Sequence, residues 1–305
     1  MRVISLLASG TEIVSALGTG EMLVGRSHEC DNQEWVKSLP VCTAPAFDIS
    51  VPSGEIDAEV RRRLKAGEPF YHVNTDLIRE LRPDLLITQA HCEVCAVTPD
   101  DVERAGCGAL ARQVLALSAG SLGGIYEGVT VLAAALDRPQ AGVELVVQMR
   151  RRINAVTQAV RDRSAPTVVM LEWMDPIFSM GNWGPELVEA SNGNVLLGTA
   201  GMHSQAIPWE QVRQADPDYL IVAPCGFDLA RTRLEVPILE ALPGWSALRA
   251  VKRGQVALAD GNKYFNRSGT TVVETVEILA EILHGHRVTP KGHAGAWQPH
   301  FGSNG

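Results

Sequence analysis

Short apolar runs alternate along this chain with longer stretches whose apolar positions recur at helical spacing. Val3 to Leu7, Leu23 to Arg26, the run after Pro83-Asp84 (Leu85-Leu86-Ile87) and Gln113 to Leu117 each have the length and content of a buried strand. Between them Ile13, Val14 and Leu17, then Ile56 to Lys65, then Thr75 to Leu81 follow the helical period. Ser9 or Thr11 is the expected cap of the first helix. Thr98-Pro99-Asp100-Asp101 opens another, with a capping hydroxyl, proline at the first position and an acidic first turn. The stretch Leu39 to Ser53 is expected as loop, and Phe70 to Val73 as a short extended piece. After Pro166 the grammar restarts with strands at Thr167 to Leu171, Tyr219 to Val222 and Val256 to Ala259, and helices at Pro185 to Ala190, from Trp209, and at Val272 to Leu283. Strands alternating with helices in this way predict an α/β fold with mainly parallel sheets.

One helix interrupts the alternation. Ile125 to Leu136 is ended by Asp137-Arg138-Pro139. Ala141 to Arg163 then carries Leu145, Met149, Ile153, Val156 and Val160 on one stripe. A helix of that length spans about 34 Å, enough to cross a whole lobe. The expected organisation is therefore an amino-terminal α/β lobe over residues 1–137, a rigid connecting helix over 138–164, a carboxy-terminal α/β lobe over 165–285 and a frayed tail over 286–305, where Gly, His and Pro dominate.

Composition narrows the classes. With 46% hydrophobic and 20% charged residues, 305 residues are ample for a packed core. A net charge of −8 gives no reason to expect nucleic acid or an anionic membrane as partner. No apolar run approaches the ~18 residues of a membrane span. Met1-Arg2-Val3 runs directly into the first strand without a charged, apolar leader, so a cytoplasmic protein is expected, or a periplasmic one if a leader has been removed. Six cysteines are too sparse for a disulfide framework.

The chemistry concentrates where strands end, which is where α/β sheets place ligands. Those positions hold His28-Glu29-Cys30, His91-Cys92-Glu93-Val94-Cys95, Trp173-Met174-Asp175 in the loop Glu172 to Pro176, Asn182-Trp183, Cys225-Gly226-Phe227 and Asn262-Lys263-Tyr264-Phe265. Aromatic walls with a few polar groups suit a large, flat, partly apolar ligand. Thiols from separate loops suit a soft metal ion or an iron–sulfur cluster held by Cys30, Cys92, Cys95 and Cys225, although one Cys-x-x-Cys is half a tetrahedral site. Cys42 and Cys107 are isolated and read as space-filling. Nucleophile elbows, His-Glu-x-x-His and phosphate-binding lysine loops are absent, which weighs against an enzyme. A thiol oxidoreductase using Cys92 and Cys95 is the third alternative.

Several stretches resemble one family. Ser5-Leu6-Leu7-Ala8-Ser9-Gly10-Thr11-Glu12-Ile13 is similar to the opening of cobalamin- and siderophore-type substrate-binding proteins, with Ala8 in place of a usual proline. The likeness continues through His28-Glu29-Cys30-Asp31, the Pro83 to Gln89 strand, Cys92 to Val97, Leu171 to Pro176, Pro224 to Asp228 and Asp260 to Phe265. The cysteine-bearing motifs resemble a narrower branch, the cobalamin-binding proteins. The resemblance implies two Rossmann-like lobes joined by one long helix, with a ligand held between them and delivered to an ABC transporter. On that basis the expected cargo is a corrinoid such as cobalamin, or a related metal chelate. Trp173, Trp183, Phe227 and Tyr264 would give stacking surface, and His28, Glu29, Asp175 and Asn262 polar contacts or an axial cobalt ligand. The alternative keeps the fold and has the four cysteines hold a metal ion or cluster for a redox or cofactor-assembly role. A monomer or homodimer is expected.

Overall fold

The computed structural model describes residues 1–301 apart from positions 93 and 95. The chain divides into two compact units: Met1–Ala119 with Gly123–Gln148, and Gly120–Leu122 with the chain from Met149 onward.

The first unit contains strands β1 (Val3–Ser5), β2 (Leu23–Arg26), β3 (Thr43–Pro45), β4 (Tyr71–Val73), β5 (Leu85–Gln89) and β6 (Gln113–Leu117). Its helices are α1 (Ala8–Ala16), α2 (Ser53–Ala66), α3 (Thr75–Leu81), α4 (Pro99–Arg104) and most of α5 (Leu122–Ala135). Four strands form a parallel sheet in the order β2-β1-β5-β6, and β3 pairs antiparallel with β4. All of β5 is buried, as a strand covered on both faces must be. Thr98 and Asp101 form the expected capping box of α4, with Pro99 inside its first turn. Helix α1 departs from expectation. It starts at Ala8, directly after an extended Leu7, and no side chain caps it; Ser9 and Thr11 lie inside the helix and are buried. The helix start is pressed against the sheet: a Cβ on Gly10 would stand 2.7 Å from the Ile87 side chain. Small residues are there for close approach rather than capping.

Helix α6 (Pro139–Val160) follows, and the division between the units falls within it. Met149, Ile153, Val156 and Val160 of its apolar stripe are buried.

The second unit has strands β7 (Thr167–Met174), β8 (Ile177–Ser179), β9 (Asn194–Val195), β10 (Gln205–Ala206), β11 (Tyr219–Val222), β12 (Val256–Ala259) and β13 (Trp297–His300). Its helices are α7 (Gly184–Ala190), α8 (Trp209–Ala215), α9 (Leu229–Glu240), α10 (Arg249–Lys252) and α11 (Val272–His284). One sheet runs β10-β8-β7-β11-β12-β13, with β9 beside β7. Its centre, β7-β11-β12, is parallel.

Two expectations are corrected here. Strand β7 does not stop at Leu171: it continues to Met174 and folds back as a hairpin, with Trp173 opposite Phe178 and Met174 opposite Ile177. Glu172, Trp173 and Met174 are therefore strand residues, because β8 supplies ladder partners that the local pattern could not reveal. The segment after α11 is not frayed throughout. Trp297–His300 pairs antiparallel with β12, Ala259 opposite Trp297, so an edge of the sheet is covered. Positions 302–305 lie outside the described residues.

Candidate functional site

In the second unit three chain segments converge at the carboxyl ends of β7, β11 and β12. Beyond β11 the chain runs on beside β7, with Ala223 N–H donating to Leu171 O and Cys225 N–H to Glu172 O, both at 2.9 Å. That pairing brings Phe227 to Trp173, ring centroids 5.1 Å apart and tilted by 54°. Asp228 caps α9, accepting from Arg231 N–H, so one turn later the Arg231 guanidinium lies 4.4 Å from the Phe227 ring centroid. Arg231 is also bonded to the buried carboxylate of Glu235 at 3.0 Å. The indole N–H of Trp173 donates to Asp175 O at 3.0 Å, which sets the ring's orientation.

After β12, Asp260 caps a short turn of helix over Gly261–Phe265 by accepting from Lys263 N–H. Burial raises the Asp260 carboxyl above its ordinary range, partly offset by that N–H. Asn262 N–H donates to Phe227 O at 2.9 Å. The Asn266 side-chain amide bonds both Ala223 O (2.9 Å) and Gly261 O (3.0 Å) and staples the two loops. This approach requires glycine: a Cβ on Gly261 would stand 2.0 Å from Pro224 O. Arg267 is buried and donates to Asn262 Oδ1 at 3.2 Å. Lys263 Nζ is 5.2 Å from the Tyr264 ring centroid, and that ring is half-buried.

Trp183 is placed otherwise than expected. It is 6% exposed, and its indole N–H donates to Phe265 O at 3.2 Å. It offers no broad free face; nor does Phe227, which is 5% exposed, carries Arg231 over its ring and backs Trp173 instead of presenting the expected stacking surface.

In the first unit the cluster after β2 is small and polar. His28 Nδ1 lies 2.8 Å from Thr43 Oγ1, and the Thr43 hydroxyl donates to Ser27 Oγ at 3.1 Å. Ser27 Oγ lies 3.4 Å from the same nitrogen and the His28 backbone N–H donates to Thr43 Oγ1 at 3.1 Å, so Nδ1 is engaged by this hydroxyl pair and Nε2 is the ring nitrogen outside it. Burial, and then the charge of Arg26, lowers the His28 pKa to about 4, so the imidazole is neutral at neutral pH. The Tyr71 ring lies 5.6 Å from it, and the Tyr71 hydroxyl donates to Val94 O at 2.6 Å. Glu29 is half-buried, with its backbone N–H on Ser27 Oγ.

The cysteines do not share one environment. Cys30 is 2% exposed, packs with Ala8 and Val36, and its sulfur accepts from Thr11 Oγ1 at 3.0 Å. Cys42 and Cys107 sit in an apolar cluster of the first unit with Ile4, Leu6 and Leu86, as expected of space-fillers; burial pushes the Cys42 thiol up to about 11. Cys92 and Cys225 are half-buried, and Gln89 holds the Cys92 carbonyl. Cys95 lies outside the described residues. Among the described residues no group of three or more His, Cys, Asp or Glu is arranged to hold a metal ion.

A surface hollow of about 490 Å³ in the first unit, walled by Phe47, Val51, Glu55, Ala58 and Arg62, contains none of the candidate residues. Its rim is already ion-paired, with Arg62 and then Arg63 holding the Glu59 carboxyl down to about 2.

Arg231, Asn266, Arg267, Gly261 and Thr43 escaped the sequence-based set. Only Arg231 had a usable signal, its i, i+4 spacing from Phe227 across a helix start. The others are recruited by contacts distant in sequence.

Known proteins with a similar fold include periplasmic binding proteins. An uncharacterized ABC transporter substrate-binding lipoprotein of Bacillus subtilis is 22% identical over 294 residues, covering 93% of this chain and 80% of that protein. A periplasmic heme binding protein from Pseudomonas aeruginosa superposes with a TM-score of 0.70 at 19% identity, covering 94% of this chain and 93% of that one. The periplasmic vitamin B12 binding protein of Vibrio cholerae does so with a TM-score of 0.65 at 18% identity, over 92% and 96%. These relatives carry lipoprotein or periplasmic descriptions, and none supports the cytoplasmic expectation. Among the described residues no helix is long and apolar enough to cross a membrane. A model of the periplasmic binding protein family matches residues 3–262, most of the chain, and on that match together with the fold this chain belongs to the periplasmic binding protein family.

Proposed function

We propose that this protein is the substrate-binding component of an ABC importer and that its cargo is a corrinoid or a related flat metal chelate. Importer type follows from the family and from the Bacillus relative. The same relatives favour a place outside the cytoplasmic membrane.

The observation that carries the cargo assignment is half-buried Trp173, backed by the buried Phe227 ring with Arg231 over it, at the adjacent ends of β7 and β11. A large apolar face suits aromatic stacking, and the guanidinium suits the polar or anionic periphery of such a chelate. Asn262 and Tyr264 add polar contacts from the neighbouring turn, and Asp175 and Glu29 are further polar candidates. His28 is the candidate metal ligand, because its imidazole is neutral at neutral pH and the neutral ring is the form that binds a metal.

The test is titration of purified protein with cobalamin and, separately, with hemin, followed by absorption and calorimetry. Stoichiometric cobalamin binding, weakened by Trp173→Ala, supports the corrinoid assignment. Hemin binding without cobalamin binding moves the cargo to a different chelate. Binding of neither removes the chelate assignment and leaves the family.

A further inference from the structure

The segment after α11 takes no part in the strand-end chemistry, yet it is tied down by one of the more buried charge clusters in the second unit. Glu277 and Glu281 stand four residues apart on one face of α11, with side chains only 6% and 7% exposed. His293 lies between them. Its Nδ1 is 2.9 Å from Glu281 Oε1 and its Nε2 is 3.1 Å from Glu277 Oε2. The backbone N–H of His293 donates to Glu281 Oε2 at 3.3 Å, and the Trp297 indole N–H reaches the same oxygen at 3.5 Å. From α6, Arg152 bonds Glu277 at 2.9 Å and Glu274 at 2.9 Å.

A neutral imidazole has one N–H and cannot satisfy two carboxylates. Without its second proton, one ring nitrogen would turn a lone pair toward a buried anion, an arrangement costly in low dielectric. The bridging geometry therefore demands imidazolium. In keeping with this, the hydrogen bond to Glu277, against the cost of burial and with help from Glu281, raises the His293 pKa above its ordinary value. Burial works against the Glu277 anion, but the His293 bond and the Arg152 charge outweigh it and lower that carboxyl.

Beyond the clip, β13 lies along β12, and Asp260 N–H donates to Ala296 O at 2.9 Å. Asp260 is the cap of the turn bearing Asn262 and Tyr264. A second contact, His300 Nε2 to Glu240 Oε1 of α9 at 3.0 Å, fastens the far end. The remaining charged groups of the segment are His286, Arg287 and Lys291, and at the end of α11 His284 binds Ser191 O.

We infer that His293 is a protonation-dependent clip that fastens the C-terminal segment 286–301 across the second unit and steadies the Asp260–Asn266 turn. The inference holds whichever ligand the protein carries. The sign follows from linkage. The closed segment keeps the imidazole proton to a higher pH than the open one, so closure is complete below the free imidazole value of about 6.5. It weakens as pH rises through the folded value. Over that interval the opening equilibrium grows by up to about tenfold per pH unit.

Amide hydrogen exchange on the full chain between pH 6 and 9, expressed as protection factors to remove the intrinsic pH effect, reads this directly. Protection of residues 296–300 and of Asp260 should fall with rising pH, while that of Leu85–Gln89 stays level. His293→Gln should give low, pH-independent protection in the segment, and His300→Gln should leave the fall in place. Level protection in the unsubstituted protein, a fall that survives His293→Gln, or a fall abolished by His300→Gln would each overturn the clip. If His293→Gln does not fold, the unsubstituted and His300→Gln profiles still decide it.

Discussion

The two units use one grammar and reach opposite chemistries. In the first, the chain after β2 turns tightly, and its side chains are short and hydroxyl-rich: Ser27, His28 and Thr43 bond to one another, and Cys30 turns inward to Thr11. In the second, β7 runs past its parallel neighbours into a hairpin, and β11 and β12 end in loops stapled together by Asn266. The result there is a half-buried Trp173 backed by the buried Phe227 ring, with Arg231 over that ring. Parallel strands place loops at the same edge in both units. What those loops can bind depends on whether their side chains are spent on internal hydrogen bonds or left to present apolar area.

The largest expected break in that contrast is Trp173→Ala. Removing a central aromatic anchor commonly costs ~2 kcal/mol or more, about 30-fold in affinity. Titration with the chelate found to bind should show that loss, with Trp173→Phe intermediate; unchanged affinity would mean that the aromatic surface is not the binding surface. Next is Gly261→Ala, which drives a methyl into Pro224 O and must part the two loops. A destabilisation of about 1–3 kcal/mol or more is expected by denaturant unfolding, with weaker ligand binding. Glycine-like stability in the alanine variant would show that the loops are not pinned.

His28 sharpens the first-unit side through pH. Its folded pKa, about 4, is below the ordinary imidazole value of 6.5, so the unfolded chain binds more protons between those values. The stability it contributes is present above about pH 6.5 and is lost as pH falls toward 4. Because the ring is only half-buried and partly screened by solvent, the full shift is discounted to on the order of 2 kcal/mol. It should appear as a difference in acid stability between the protein and His28→Gln. Binding through Nε2, by contrast, should persist until pH nears 4, so the stability and affinity profiles separate. The smallest effect is expected for Cys30→Ala. A buried sulfur is lost, costing about 1 kcal/mol in the first unit, while cargo affinity stays within twofold; a large loss of affinity or of bound metal would restore the thiolate alternative.

Much of this architecture was legible from pattern. The period of two or an unbroken apolar run marked the central strands, and the 3.6 period marked α6 and α11, because both signals are local and follow from which face is buried. The Thr98–Asp101 capping box was legible for the same reason: its partners are three residues apart. Trp173, Phe227 and Asn262 were legible as candidates because each lies just beyond the apolar run of a strand.

Tertiary structure alone decided the rest. Trp183 sits in a loop rich in glycine and proline, yet its indole is committed to Phe265, 82 positions away. Nothing near His293 announces two buried carboxylates on α11, and nothing near Gly261 announces the Pro224 carbonyl. Strand β7 outran its apolar core because β8 returned to pair with it. Sequence by itself determined which segments are strands and helices and which edge of each sheet carries polar loops. Which of those loop residues face a ligand, which are packed away and which hold the chain end in place was set by contacts distant along the chain, whose energies depend on burial and partner geometry that no local pattern encodes.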